Sequence, residues 1–342
     1  MTPMTQSVLS PAVETAGRMA FGMVYSRMLY AAAALDLAEH LRQGDRSVDE
    51  LARLTDTHAP SLGRLLRTLA SYDVFRVTDD GRYALNDVGA TLCRDAPVSV
   101  RDLVLHLGSE ANVRMWGGML FSLRTGAPAF EHVNGCSLFE YLDANPQEAV
   151  LFNHVMSMGT SRAIPDILAN YDVSGYSRIV DVGGGDGSLL AAILKSATRA
   201  TGVLLECASG IRDARANPDI AALGHRVDLV EGDFFAAVPE GADVYLLKHV
   251  LHDWNDERAL AILRTVRRAM APASRLLIVE VMYEKGDTST RGKLLDLSML
   301  LMTGGRERRE LEYRDLCRAA GLTVTRVDPS VGRYSLMEAA CA

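Results

Sequence analysis

The chain has 342 residues, 48% of them apolar, and a formal net charge of −7. That length points to two domains, and the composition to an ordinary folded core without repeats or low-complexity tracts. The acidic balance argues against a phosphate backbone or an anionic membrane as the main partner, because both need a basic surface.

The apolar stretch from Met19 to Ala38 is interrupted by Arg27 and Asp36, so it reads as a buried or subunit-facing helix rather than a membrane span. Next, Ser47-Val48-Asp49-Glu50 has the form of a capping box and starts a short helix through Leu54. Pro60 sits in the first turn of another, with Leu62, Leu65, Leu66 and Leu69 on one face. Val74 to Val77 and Tyr83 to Leu85 flank Thr78-Asp79-Asp80-Gly81 as a hairpin. Helix, helix and hairpin make a winged-helix pattern. One reading of it is a DNA-binding regulator carrying Arg64 and Arg67 into the major groove. Residues 1 to 100 weigh against this, with ten arginines, no lysine and twelve acids, a net −2. Subunit pairing is the better reading.

From Val100 to Asn170 the pattern is helical, with a turn at Gly126-Ala127-Pro128 and a helix opened by Asp143-Ala144-Asn145-Pro146. Beyond Gly175, short β-rich runs alternate with helical stretches: Ser177 to Val182, Thr201 to Leu205, Arg226 to Val230, Ala242 to Leu247, Arg275 to Val281, Thr323 to Val327 and Tyr334 to Ala339. Such alternation predicts a mostly parallel α/β sheet. The short Asp328-Pro329-Ser330-Val331-Gly332 connection makes the last pair antiparallel. The chain thus divides into a helical, winged-helix-like domain over 1–105 and a second domain over 106–342, the latter with a helical region (106–172) and a Rossmann-like core (173–342).

Cys93, Cys136, Cys207, Cys317 and Cys341 form no C-x-x-C pair. They fit reduced thiols in a cytoplasm rather than disulfides or a zinc site, no metal is expected, and no secretory signal pattern opens the sequence.

The chemistry concentrates after the first of those β-rich runs. Gly183, Gly184, Gly185 and Gly187 follow Arg178-Ile179-Val180-Asp181-Val182 and precede a helical run, so backbone can turn tightly and approach a ligand. Asp181 ends the strand, and Glu206 ends the next, about where an acid grips ribose hydroxyls. A nicotinamide dehydrogenase would need glycine or alanine at Ser188, and Asp186 would repel a pyrophosphate.

Four segments in order resemble the small-molecule O-methyltransferases that use S-adenosylmethionine, typified by plant caffeate-type enzymes and bacterial antibiotic-tailoring enzymes. They are Val180 to Gly187, Glu231-Gly232-Asp233-Phe234-Phe235, Leu247-Lys248-His249-Val250-Leu251-His252-Asp253-Trp254, and Gly304-Gly305-Arg306-Glu307-Arg308. The resemblance spans nearly the whole chain. It implies a class I methyltransferase fold, an intertwined homodimer formed through the N-terminal domain, and methylation of a hydroxyl, less often a nitrogen, on an aromatic or polyketide-like substrate. A cationic sulfonium tolerates acids near its loop.

By that resemblance the cofactor set is Asp181, Gly183, Gly184, Gly185, Glu206, Cys207, Gly232, Asp233 on the adenine amine, Phe234 on its ring, Lys248, and Phe152 and Met156 over the methionine moiety. His252 matches the family's catalytic histidine, with Glu280 and Glu307 as two candidate carboxylates to orient it; an acid closing a strand is harder to explain as structure than one in a basic loop, and the choice between the two as partner of the ring stays open. An unperturbed imidazole lies about 3.5 units below a phenol, so prior deprotonation would cost roughly 5 kcal/mol and proton transfer should be concerted with methyl attack. Trp116, His154, Asp253, Met299, Met302 and Thr303 are expected to line the acceptor pocket, Asp253 alternatively helping to cap the next helix. Met302-Thr303 replaces the plant family's asparagine-proline pair, so the plant substrates do not transfer. A few relatives hydroxylate or decarboxylate instead; retention of His252, Glu280 and Glu307 favours methylation.

Overall fold

The computed structural model describes residues 10–283, 290–331 and 334–342. The chain forms two compact units, Met1–Val113 and Arg114–Ala342.

In the first unit, Ser47 caps the helix Val48–Leu54 with both bonds of its capping box, and Pro60 lies in the first turn of Ala59–Ser71. Strands β1 (Arg76–Val77) and β2 (Tyr83–Ala84) pair antiparallel across Gly81, whose φ is 78°. Leu62, Leu66 and Leu69 are buried with Leu37, Leu41, Phe75 and Tyr83 in one cluster. Arg64 and Arg67 are exposed.

The Met19–Ala38 stretch is not one helix. Pro11–Ala20, Gly22–Ala34 and Leu37–Arg42 divide it, and the second break falls at Asp36, whose φ of 49° is left-handed. Asp36 is held there by Arg94 and Arg101 at 2.7 and 2.8 Å. Ala32 and Ala33 are buried, whereas Met19, Phe21 and Met23 are exposed.

The second unit begins with short helices, then the long helix Pro146–Asn170, opened by Asn145 and Pro146. The core sheet follows, with β3 (Arg178–Val182), β4 (Thr201–Glu206), β5 (Val227–Glu231), β6 (Val244–Lys248), β7 (Arg275–Glu280), β8 (Leu322–Val331) and β9 (Tyr334–Cys341). Its order is β5-β4-β3-β6-β7-β9-β8, and β9 alone runs antiparallel to both neighbours. Successive residues of the parallel strands alternate between two cores. Val180, Val182, Leu247 and Ile278 join one; Ile179, Leu204, Leu246 and Val279 join the other. Each such buried aliphatic side chain contributes about 1.5–3 kcal/mol. Among the described residues no helix is long and apolar enough to cross a membrane.

The last two strands run further than the sequence suggests: β8 reaches Val331, which pairs with Tyr334, and Gly332 lies outside the described residues. An edge strand tolerates Pro329, and register shifts after Val324 and Asp328 absorb it. The order reverses between β3 and β6, so their carboxyl ends open the crevice where open α/β sheets bind ligands.

Candidate active site

β6 stops abruptly. His249 takes a left-handed φ of 53°, and its N–H reaches the Val279 carbonyl at 3.1 Å. The chain then makes a single 3₁₀ turn, Leu251–Asp253, before Asn255 caps the helix Asp256–Ala269 by accepting from the Arg258 N–H at 3.0 Å. Turn termini leave N–H groups without partners. Here Glu280 Oε1 accepts those of Val250, Leu251 and His252 at 3.2, 3.0 and 3.4 Å.

The turn aims His252 at the second acid. Its Nδ1 lies 2.8 Å from Glu307 Oε1, and 3.9 Å from Glu280 Oε2. The hydrogen-bonded carboxylate is therefore Glu307, the one in the basic loop. Glu280, the other candidate, holds the backbone of the turn. Glu307 is itself set by its N–H donating to Asp296 Oδ1 at 2.9 Å. Gly305 packs so closely on the turn that a Cβ there would meet the His252 carbonyl at 2.1 Å.

All three side chains are buried. Burial opposes the imidazolium of His252, but the charges of Glu280 and Asp253 and the Glu307 hydrogen bond outweigh it, pushing the ring up to about 10. Burial raises Glu280 to about 7 and Asp253 to about 6, each restrained by His252. The proton shared by this cluster resides on the imidazole. Once neutral, a base near 10 matches a phenol near 10, so proton transfer between them is nearly thermoneutral; at pH 7 the ring itself is protonated, and freeing it costs about 4 kcal/mol.

Beside the turn lies the glycine loop. Gly183, Gly185 and Gly187 have φ of 70°, 63° and 75°, and a Cβ on Gly184 would meet Asp181 Oδ2 at 2.3 Å. Asp181 is buried with neither carboxylate oxygen hydrogen-bonded to a described residue. Burial drives it up to about 7, against the pull of Lys248. Burial likewise lowers Lys248, which Glu280, Asp181 and Asp186 counter; its Nζ donates to Thr160 Oγ1 at 2.9 Å. Glu206 is raised by burial and accepts the Gly185 and Cys207 N–H groups at 3.2 and 2.5 Å. Gly232 donates to the Glu206 carbonyl at 3.0 Å. Asp233 is exposed and accepts from the Phe235 N–H at 2.9 Å, with Phe234 half-buried against Phe235 and Trp254.

The long helix supplies partners that sequence reasoning missed. Ser157 donates to Asp186 Oδ2 at 2.7 Å, Thr160 accepts from Lys248, and Asn153 bonds Asp213. Their spacing of four and three is that of one helix face, which could have flagged them beside Phe152 and Met156. Phe152 is half-buried, Met156 exposed, and Cys207 and His154 are exposed. Met299, buried, and Met302 lie on the helix Thr290–Met302, which leads through half-buried Thr303 into Gly304-Gly305. Trp116 is half-buried on the helix Glu110–Gly117.

A buried acid, Asp181, with no hydrogen-bond partner among the described residues beside a glycine loop fits a cationic ligand that brings its own donors. With a histidine–carboxylate pair on the same edge, the fold and site define a sulfonium-dependent methyl-transfer enzyme of class I. The O-methyltransferase domain family matches residues 116–323 and the O-methyltransferase dimerisation domain residues 18–95, so the chain belongs to the O-methyltransferase family. It is 37% identical to phenazine O-methyltransferase PhzM of Lysobacter antibioticus, over 94% of each chain. It is 40% identical to O-demethylpuromycin-O-methyltransferase of Streptomyces alboniger, over 94% of this chain and 87% of that one. The solved structure of mitomycin 7-O-methyltransferase MmcR superposes with a TM-score of 0.93 at 35% identity, covering 97% of this chain and 98% of that one. Solved relatives hold S-adenosylmethionine or S-adenosylhomocysteine, and the chain is an S-adenosylmethionine-dependent O-methyltransferase.

Proposed function

We propose that this enzyme methylates a hydroxyl of a small aromatic or polyketide-like metabolite, with His252 Nε2 as the base. The 2.8 Å contact between His252 Nδ1 and Glu307 carries the reading. When the ring is neutral, its remaining proton sits on Nδ1, directed at Glu307, and Nε2, 3.6 Å from Asp253 Oδ1, carries the lone pair. Acceptor phenol on neutral imidazole and phenolate on imidazolium contain the same protons, so once the ring has released its extra proton the hydroxyl ionises onto it at little cost. S-adenosylmethionine, when bound, supplies an electrophilic methyl group on a sulfonium. Asp181, Gly183, Gly184, Gly185, Glu206, Cys207, Gly232, Asp233, Phe234 and Lys248 would hold it, under Phe152 and Met156. Trp116, His154, Asp253, Met299, Met302 and Thr303 would confine the acceptor; methionine-rich walls suit a flat, apolar ligand.

The dimerisation-domain match over 18–95 supports a homodimer paired through the N-terminal unit rather than a DNA-binding role. Five free cysteines support a reducing cytoplasm. A panel of hydroxylated and aminated aromatics, incubated with methyl-labelled cofactor, tests the reaction. Label is expected on phenolic oxygen; label confined to nitrogen would overturn the reading.

A further inference from the structure

Among the described residues, the guanidinium of Arg308 is a buried charge that this chemistry leaves unused. We propose that Arg308 is a positioning residue, which sets the His252 ring against Glu307 by clamping the two carbonyls that bracket it. Its Nη1 donates to the Leu251 carbonyl at 2.9 Å and its Nη2 to the Trp254 carbonyl at 2.7 Å. Nε and Nη2 also meet Asp256 Oδ1, at 2.9 and 2.8 Å. The side chain is wholly buried.

The clamp completes an enclosure of the turn. Glu280 takes the N–H groups of Val250, Leu251 and His252, whereas Arg308 takes the carbonyls of Leu251 and Trp254. Between those carbonyls, the Arg306 N–H donates to the His252 carbonyl at 2.8 Å. Arg308 is bridged to Met282, two residues past Glu280, and follows Glu307 in the chain. One short segment therefore fixes both the hydrogen bond to the ring and the backbone beneath it.

The residue type follows from the geometry. Two carbonyls and an acid lie around one planar group, which a guanidinium fork meets with separate donors while staying charged. A lysine offers three donors from one point and sheds its charge more readily when buried. A clamp that only stabilised the turn would leave the imidazole's titration alone; one that sets the His252–Glu307 contact must change it.

The proposal rests on the importance of His252, so its test is read on the imidazole and needs no acceptor. In the full-length enzyme, the His252 ring resonances are identified by their loss in His252→Gln and titrated by NMR. In Arg308→Lys the titration should fall by about one pH unit or more, as the Glu307 contact lengthens. Guanidinium added to Arg308→Ala should move it back. An unchanged titration in a folded Arg308→Lys overturns the proposal. If that variant does not fold, Asp256→Asn, on the same guanidinium, is read instead: a downward shift supports the clamp and no shift overturns it. A shifted titration with undiminished methyl transfer would remove His252 as base yet leave the clamp standing.

Discussion

The turn over 249–254 and the glycine loop over 183–187 share one sheet edge but are built on opposite plans. In the turn, side chains from two other segments take the N–H groups of Val250, Leu251 and His252 and the carbonyls of Leu251 and Trp254. At the glycine loop, buried Asp181 has two oxygens that no described residue meets. The first arrangement is rigid because general-base chemistry depends on geometry set in advance. The second tolerates unsatisfied groups because a ligand's own donors can meet them.

The sharpest way to break that contrast is His252→Ala. Turnover of a phenolic acceptor should fall about 10²–10⁴-fold, while calorimetry shows cofactor affinity within about threefold of wild type. A parallel loss of affinity would merge the two regions. A matched pair of glycine variants comes next. Gly305→Ala pushes on the His252 carbonyl, which a Cβ would approach to 2.1 Å, and should lower kcat about 100-fold with cofactor binding kept. Gly184→Ala crowds Asp181 at 2.3 Å and should instead raise the cofactor Kd about tenfold, with kcat nearly restored at saturation. If both variants move both constants alike, the division is wrong.

A subtler effect is expected from Glu307→Gln. Removing this charge and its hydrogen bond lowers His252, so the rising limb of kcat/KM should start at lower pH, with kcat down about 10–100-fold from a weaker base and a disordered tautomer. The same shift bears on stability. A histidine held at about 10 adds stability that is full below its unfolded value and is lost as pH rises through the folded one. Wild type, more than Glu307→Gln, should therefore lose thermal stability as pH rises from about 6.5 to about 10.

What could be read from the sequence was local in origin. The capping box at Ser47, the turn at Gly81, the seven strand runs and the glycine loop depend on neighbours a few residues apart, and the structure contains each of them. The breaks at Phe21 and Asp36 were hidden because alanine-rich sequence favours helix on either side, and Asp36 is held in its bend by Arg94 and Arg101, far along the chain. The acid–histidine geometry was half legible. The sequence brought both acids to the histidine without choosing between them, and Glu280's place at a strand end sets it beneath three amides of the turn. The burial of Glu307 among arginines was not legible, because charge in sequence does not reveal burial; Arg308 beside it is as buried as any leucine in the core. Gly305 had a visible signal, a paired glycine after a helix, whose meaning needed the His252 carbonyl opposite.

Strand β9 carries a consequence for how the enzyme is made. It lies between β7 and β8, hydrogen-bonded along the length of the strand that ends in Glu280. During synthesis β7 emerges well before Tyr334–Cys341, so a nascent chain exposes it as a bare, apolar margin that can pair with a stranger. Protection of that margin thus arrives late, when β9 adds to the β7 edge and carries β8 with it.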